Sequence, residues 1–316
     1  MRLLILLLLL PVGLWAQKPI IFDSDMGPDY DDVGAITLLH AYADSGYVRI
    51  LATMASTRYP GVAGVMSVFN TYFGRPSIPI GLPGGDGLVL RDWQHWSDSL
   101  LARYPHASVS VDAVSLYRRV LSSQADSSVT VVTVGFLTNL ADLLKSDSSG
   151  LVRRKVRLLV CMAGRFPSGY EFNVMKDAGA SAYVFSHWPS PIIFSGFEIG
   201  EKILVGLPLI HDRAIHGDPV QDVFRISIPL AAEDSLGRKS WDETAVLVAV
   251  RGYAPYYRLQ YGRIAVAADG KDIWEDSNTP TSQAHLVEAV PPAVVQGVIN
   301  KAIMHLPGQG RRPSFP

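Results

Sequence analysis

The chain reads as an α/β protein built on an open, mainly parallel sheet flanked by helices. Three observations predict this. Short apolar, β-branched runs alternate with helix-like segments over most of the 316 residues. The runs are apolar almost throughout rather than in alternation, as strands covered on both faces are. The unusual polar segments follow the ends of those runs, where sheets of this kind bind ligands.

Taken in order, 20–22 reads as a strand and 32–42 as a helix, then 48–54 as a strand and 62–73 as a helix. The β-branched run 129–134 is followed by a short helix at 139–145. A strand at 156–162 precedes a helix at 178–188, and 192–195 is another short strand. Repeated strand–helix alternation argues for βαβ units, hence a Rossmann-like sheet. The segment 207–239, rich in Pro, Asp, His and Gly, reads as an insertion or flap. Helices resume at 240–253 and 291–305. No repeat or linker stands out, so a single domain over 17–306 is expected.

Hydrophobic residues are 48% and charged residues 18%, enough for a sizeable core. A net charge of -1 gives no reason to expect a nucleic-acid partner. Residues 1–16 read as a signal peptide: Arg2, a Leu-rich run from Leu3 to Leu10, and Ala16 at the cleavage point. That run is shorter than the roughly 20 residues a membrane span needs. The expectation is therefore an exported protein, periplasmic or secreted, with no span after cleavage and a flexible tail at 307–316. Cys161, the single cysteine, lies in an apolar run and reads as a buried small hydrophobe.

The chemistry concentrates behind the first run, where Asp23, Asp25, Asp29, Asp31 and Asp32 fall within ten residues. Like charges this dense are tolerated only if water, protons or a cation offset them. All-oxygen ligands suit Ca²⁺ or Mg²⁺. An EF-hand loop is excluded, because a strand precedes the cluster and the twelfth position from Asp23 is Gly34, not Glu. A haloacid-dehalogenase-type phosphatase, with its strand-borne Asp-x-Asp, fits less well because Gly27 stands where Thr or Val is usual. Helix capping explains one or two carboxylates, not five.

The segment Asp23-Ser24-Asp25-Met26-Gly27-Pro28-Asp29-Tyr30-Asp31-Asp32 resembles the N-terminal signature of the inosine–uridine-preferring nucleoside hydrolases, in the bacterial form with two extra residues before the last Asp pair. Leu137-Thr138-Asn139, Glu171-Phe172-Asn173 and Trp241-Asp242 resemble later motifs of that family, in order. The resemblance implies one Ca²⁺ held by Asp25, Asp32, Asp242 and the carbonyl of Thr138. It implies Asp25 as general base towards a water that attacks the anomeric carbon of a ribonucleoside. Asp31, Glu171 and Asn173 would hold sugar hydroxyls, Ser56 would stand near the sugar, and Asp23 would orient the loop. A homodimer or homotetramer follows by the same likeness.

Three departures bear on the substrate. Trp241 replaces a His tied to protonating the leaving base, and Trp cannot donate a proton that way; it could stack on a base or shield the site. Ser56 or Thr57 stands where an Asn is usual, and Arg165 stands where a sugar-contacting Asn is expected. His95, His211 and His216 are the candidate replacement acids. Ser240 and Glu243 read as a capping box for the late helix. The Gly84–Gly87 stretch lacks the Lys and Ser/Thr of a phosphate loop and reads as a turn. Glu198 has no assignable role. The rivals are a Mg²⁺-dependent phosphatase and a calcium-dependent nucleoside- or sugar-binding protein without turnover.

Overall fold

The computed structural model describes residues 17–85 and 87–308. The expected signal segment, residue 86 and the end of the tail lie outside the described residues. The strands are β1 (Lys18–Ser24), β2 (Val48–Ala55), β3 (Ile80–Leu82), β4 (Val111–Asp112), β5 (Val129–Thr133), β6 (Val156–Met162), β7 (Ser168–Tyr170), β8 (Ile192–Ser195), β9 (Leu204–Val205), β10 (Arg238–Lys239), β11 (Tyr257–Val266), β12 (Lys271–Asp276) and β13 (Gln283–Glu288). Among the described residues they form an 11-stranded sheet in the order β4-β3-β2-β1-β5-β6-β8-β13-β11-β12-β7, with a separate β9–β10 ribbon.

From β4 to β13 every neighbouring pair is parallel; β13–β11, β11–β12 and β12–β7 are antiparallel. The mainly parallel sheet expected from the apolar runs is therefore present. The central strands are buried along almost their whole length, because helices cover both faces. One core holds the helix Asp31–Asp44 against Trp241–Arg251 and Pro292–Ile303; the other packs Ala113–Ser122 and Ala178–His187 on the opposite face.

Two expectations change. The segment 207–239 is not a free flap: the helix Pro219–Ser227 buries Val220, Val223 and Phe224 in the first core. The antiparallel extension from 257 to 288 had no counterpart in the periodicity reading. Its strands are half exposed and mix polar with apolar positions, so they lack the continuous apolar signal of the parallel strands.

Parallel register brings the functional strand ends into one row. Asp23 pairs with both Met54 and Thr133, Thr133 with Cys161, and Met162 with Ser195. The segments after β1, β2, β5, β6 and β8 therefore meet at one edge. Gly135, just past β5, is required there: a Cβ would lie 2.3 Å from the backbone nitrogen of Asp25 and 2.5 Å from Ser56 Oγ.

Candidate active site

The loop after β1 turns sharply. Met26 adopts a φ of 34°, unfavourable for a residue with a Cβ. Three hydrogen bonds hold it. Its N–H donates to Ser24 Oγ at 3.0 Å and Asp32 Oδ1 at 3.2 Å, and its carbonyl accepts from Tyr59 Oη at 3.0 Å. Ser24 Oγ donates to the same Asp32 oxygen at 2.5 Å. The turn aims Asp25 into a cavity of about 360 Å³ whose lining includes Asp29, Asp31, Val134, Met162, Glu171, Phe172, Asn173, Phe197, Asp234, Arg238, Trp241 and Asp242.

Asp25 and Asp242, from opposite ends of the chain, line this cavity, and Asp32 is buried close by without lining it. All three are buried. Burial, with the neighbouring carboxylates, holds Asp25 and Asp242 well above the usual carboxylate range and Asp32 at about 6. Asp32 Oδ2 is buried with no hydrogen-bond partner. Such an orphan, in an all-oxygen donor set, fits a hard cation. Among the described residues, however, no group of three or more His, Cys, Asp or Glu side chains is already gathered closely enough to hold a metal. The donors would have to draw inward.

Thr138 does not join them. It opens the helix Thr138–Lys145, and its hydroxyl donates to Asp177 at 2.6 Å. Its carbonyl lies in the first turn, where carbonyls serve the helix itself. The backbone group at the cavity is that of Val134, whose N–H donates to the Asp23 carbonyl at 2.8 Å and whose carbonyl accepts from Asn173 Nδ2 at 3.0 Å. Ser56 is likewise structural: buried, it accepts from Phe136 N–H at 3.0 Å and ties the β5 loop to β2.

Asp31 is at the cavity but its carboxylate is engaged. Oδ1 accepts from Arg238 Nε at 3.1 Å and Nη2 at 2.6 Å; Oδ2 accepts from the N–H groups of Trp241 at 3.2 Å and Asp242 at 3.3 Å. These four bonds match a carboxylate's capacity, leaving little for a sugar hydroxyl. Asp31 thus caps the late helix from afar. The capping box takes another form, with Ser240 Oγ donating to Glu243 Oε2 at 2.7 Å. Arg238, missed at the sequence level, is buried between three carboxylates: it pairs with Asp29 and Asp31 and stands 3.6 Å from Asp234. It also lies over the rings of Tyr30 and Trp241. Its only sequence cue was a basic residue beside the Trp-Asp motif.

Glu171 and Asn173 both line the cavity. Glu171 caps its short helix, accepting from Asn173 and Val174 N–H at 3.0 Å each, and burial pushes it to about 7. Asn173 gives its amide hydrogens to Val134 and Met162 carbonyls, so it can offer a ligand its amide oxygen. Asp23 lies behind the site, accepting from Tyr117 Oη at 2.8 Å and Asn139 Nδ2 at 3.1 Å; burial raises it to about 7. Trp241 lines the cavity, with its indole N–H donated to the Phe197 carbonyl at 2.9 Å. His95, His211 and His216 are exposed and outside the lining. Glu198 accepts from Phe166 N–H at 3.2 Å and Asp272 from Arg165 N–H at 2.8 Å, so both organise the loop after β6.

Fold and site together define an α/β protein with a carboxylate-lined cavity at the strand ends. The family model for inosine-uridine preferring nucleoside hydrolase matches residues 20–290, and the chain belongs to that family. The pyrimidine-specific ribonucleoside hydrolase RihA of Shewanella sp. (strain MR-4) is 28% identical over 228 residues, 68% of this chain and 67% of that protein. The plant nucleoside hydrolase PpNRh1 superposes with a TM-score of 0.73 at 20% identity, covering 91% of this chain and 99% of its own. The inosine-uridine preferring nucleoside hydrolase of Bacillus anthracis gives 0.70 at 16% identity, covering 91% and 99%. The chain is accordingly an N-glycosyl hydrolase of the ribonucleoside class.

Two outcomes follow from the buried charges. Arg238→Met leaves Asp29, Asp31 and Asp234 uncompensated, so chemical denaturation should show a loss of about 3–5 kcal/mol. Asp23 and Glu171 keep their protons to about pH 7 when folded, against ordinary values of 3.8 and 4.5. The folded state therefore binds more protons between those limits, and stability falls as pH rises through them. His40, lowered to about 3 by burial, opposes this with one proton below its ordinary value of 6.5. In chelator, the melting temperature should be higher near pH 5.5 than at pH 8; the opposite trend would contradict the burial argument.

Proposed function

We propose that the protein hydrolyses the N-glycosidic bond of a ribosyl compound with Asp25 as general base, in a site that holds Ca²⁺. The observation that supports this reading is that Asp25 and Asp242 line one cavity while Asp32, buried close by, keeps one carboxylate oxygen without a partner. Asp25, Asp32, Asp242 and the carbonyl of Val134 would hold the ion. When bound, it supplies Lewis-acid activation of water and anchorage for vicinal hydroxyls.

The chain's own groups do the rest. Asp25, in the cavity lining, would take a proton from the attacking water as general base. The C1′–N bond breaks with its electron pair passing to the base. The oxocarbenium-like sugar gains electrostatic stabilisation from the carboxylates beneath it. Asn173 accepts a sugar hydroxyl through its amide oxygen, and Glu171 receives another. Phe172, Phe197 and Trp241 also line the cavity and would flank the base. Asp31 acts through the helix it caps, which carries Asp242.

The Leu3–Leu10 run behind Arg2 supports export, and family likeness supports a homodimer or homotetramer. Among the described residues no helix is long and apolar enough to cross a membrane.

Asp25→Asn should lower turnover by about 10²–10⁴-fold, the usual loss of a general base, while leaving the folded state intact by circular dichroism. A chelator should abolish release of free base from nucleosides, and added Ca²⁺ should restore it and raise the melting temperature. A variant with wild-type rate would remove Asp25 from the role.

A further inference from the structure

A base leaving a ribosyl carbon takes the bonding electron pair with it, and a proton delivered to it lowers the barrier. The nitrogen-bearing side chains that line the cavity are Asn173, Arg238, Lys239 and Trp241. Three of them have their hydrogens engaged. The Trp241 indole N–H goes to the Phe197 carbonyl at 2.9 Å. The Asn173 amide hydrogens go to the carbonyls of Val134 and Met162. The Arg238 guanidinium is held by Asp29 and Asp31, and an arginine does not release its proton in a protein.

Lys239 is the exception. It is half-buried, and its ammonium lies 5.5 Å from the centre of the Trp241 ring. Among the described residues it has neither an ion pair nor a side-chain hydrogen bond, whereas Lys155 pairs with Asp126 and Lys202 with Glu288. An ammonium has three protons to donate and no acceptor. The main chain beneath it is fixed. Lys239 pairs with Leu204 in the β9–β10 ribbon, and the next N–H, that of Ser240, donates to the Ile203 carbonyl at 2.9 Å. The stem therefore starts from a set point while its head is free to meet a ligand. A base flanked by Trp241 has this ammonium beside the same ring. Glu233 also lines the cavity, but an ionised carboxylate only accepts.

We propose that Lys239 is the general acid of the reaction, giving a proton from Nζ to the departing base. This rests on the reading of the cavity as an N-glycosyl hydrolase site and adds a catalytic residue to it. The step balances as follows. Water's oxygen bonds to C1′ and one of its protons goes to Asp25. The C1′–N electron pair goes to the base, which takes the Nζ proton and leaves neutral. Lys239 is left as an amine, and both side chains return to their starting states by exchanging protons with solvent.

The test compares two kinds of substrate, with Ca²⁺ and at equal folded protein by circular dichroism. One is uridine or inosine, whichever the wild type cleaves faster, whose base needs a proton to leave. The other is 4-nitrophenyl β-D-ribofuranoside, whose leaving group departs as a stabilised anion and needs none. In Lys239→Met, kcat for the nucleoside should fall by about 10²–10⁴-fold, the usual loss of a general acid, and that for the nitrophenyl riboside by less than about threefold. Lys239→Arg keeps the charge without a transferable proton, so it should lose nucleoside turnover as the Met variant does. Equal losses on both substrates, or nucleoside turnover retained in Lys239→Arg, would overturn the proposal, because Lys239 would then act by contact or by charge. Turnover retained in Lys239→Met but lost in Glu233→Gln would overturn it in favour of Glu233. Each of these outcomes leaves the hydrolase reading standing. Wild-type protein inert towards both substrates would end that reading as well.

Discussion

The structure depends on making a buried group of carboxylates tolerable. Asp25, Asp31, Asp32, Asp234 and Asp242 are all nearly inaccessible to solvent. Removing an ionised carboxylate from water costs several kcal/mol unless something answers its charge. Three devices do so. Arg238 sits among Asp29, Asp31 and Asp234. The amino end of the helix Trp241–Arg251 turns two N–H groups onto Asp31, where the helix dipole favours negative charge. On the other side of the loop, Ser24 and the Met26 N–H satisfy one oxygen of Asp32. What remains is the other Asp32 oxygen with Asp25 and Asp242, and a divalent ion is the fourth device that would suit it.

This compensation explains the unusual geometry nearby. A left-handed Met26 is tolerable because its neighbours bind both of its backbone polar groups. Gly135 is bare because β5 must pass flush against the Asp25 backbone. Gly34 is bare because Glu243 lies against the first helix, where a Cβ would stand 1.9 Å from Oε1. The segments that meet at the site are thus packed closely, although the carboxylates themselves would still have to draw inward around an ion.

The parallel half of the sheet was legible because its signal is continuous. Burial on both faces forces apolar runs at β1, β2, β5, β6 and β8, and the expected spans differ from the observed ones by about one or two residues at their ends. The antiparallel strands β11 to β13 were not legible, since half-exposed strands carry a mixed pattern. In the site, Asp25, Asp242, Glu171, Asn173 and Trp241 all reach the cavity lining. Thr138 and Ser56 do not, for one physical reason: a motif names residue types, whereas which carbonyl or hydroxyl faces inward depends on strand register. Ser56 is turned to Phe136 and Thr138 to Asp177. Arg238 was invisible because its function comes from partners about two hundred positions away in the chain, as in its bonds to Asp31.

Asp31 shows how far a motif can mislead about a single atom while being right about the place. It belongs to the aspartate signature and it lies at the cavity, yet its four acceptor positions are taken up by Arg238 and the Trp241–Asp242 amides. Its carboxylate is the joint between the beginning of the chain and its last quarter. Trp241 completes that joint rather than replacing an acid, since its indole N–H belongs to the Phe197 carbonyl and its ring lies against Arg238. Under the proposed mechanism, proton delivery to a departing base would then fall to water or to Lys239 and Glu233 of the cavity lining, and the carboxylates would favour bond breaking from the sugar side, where positive charge develops on the ring.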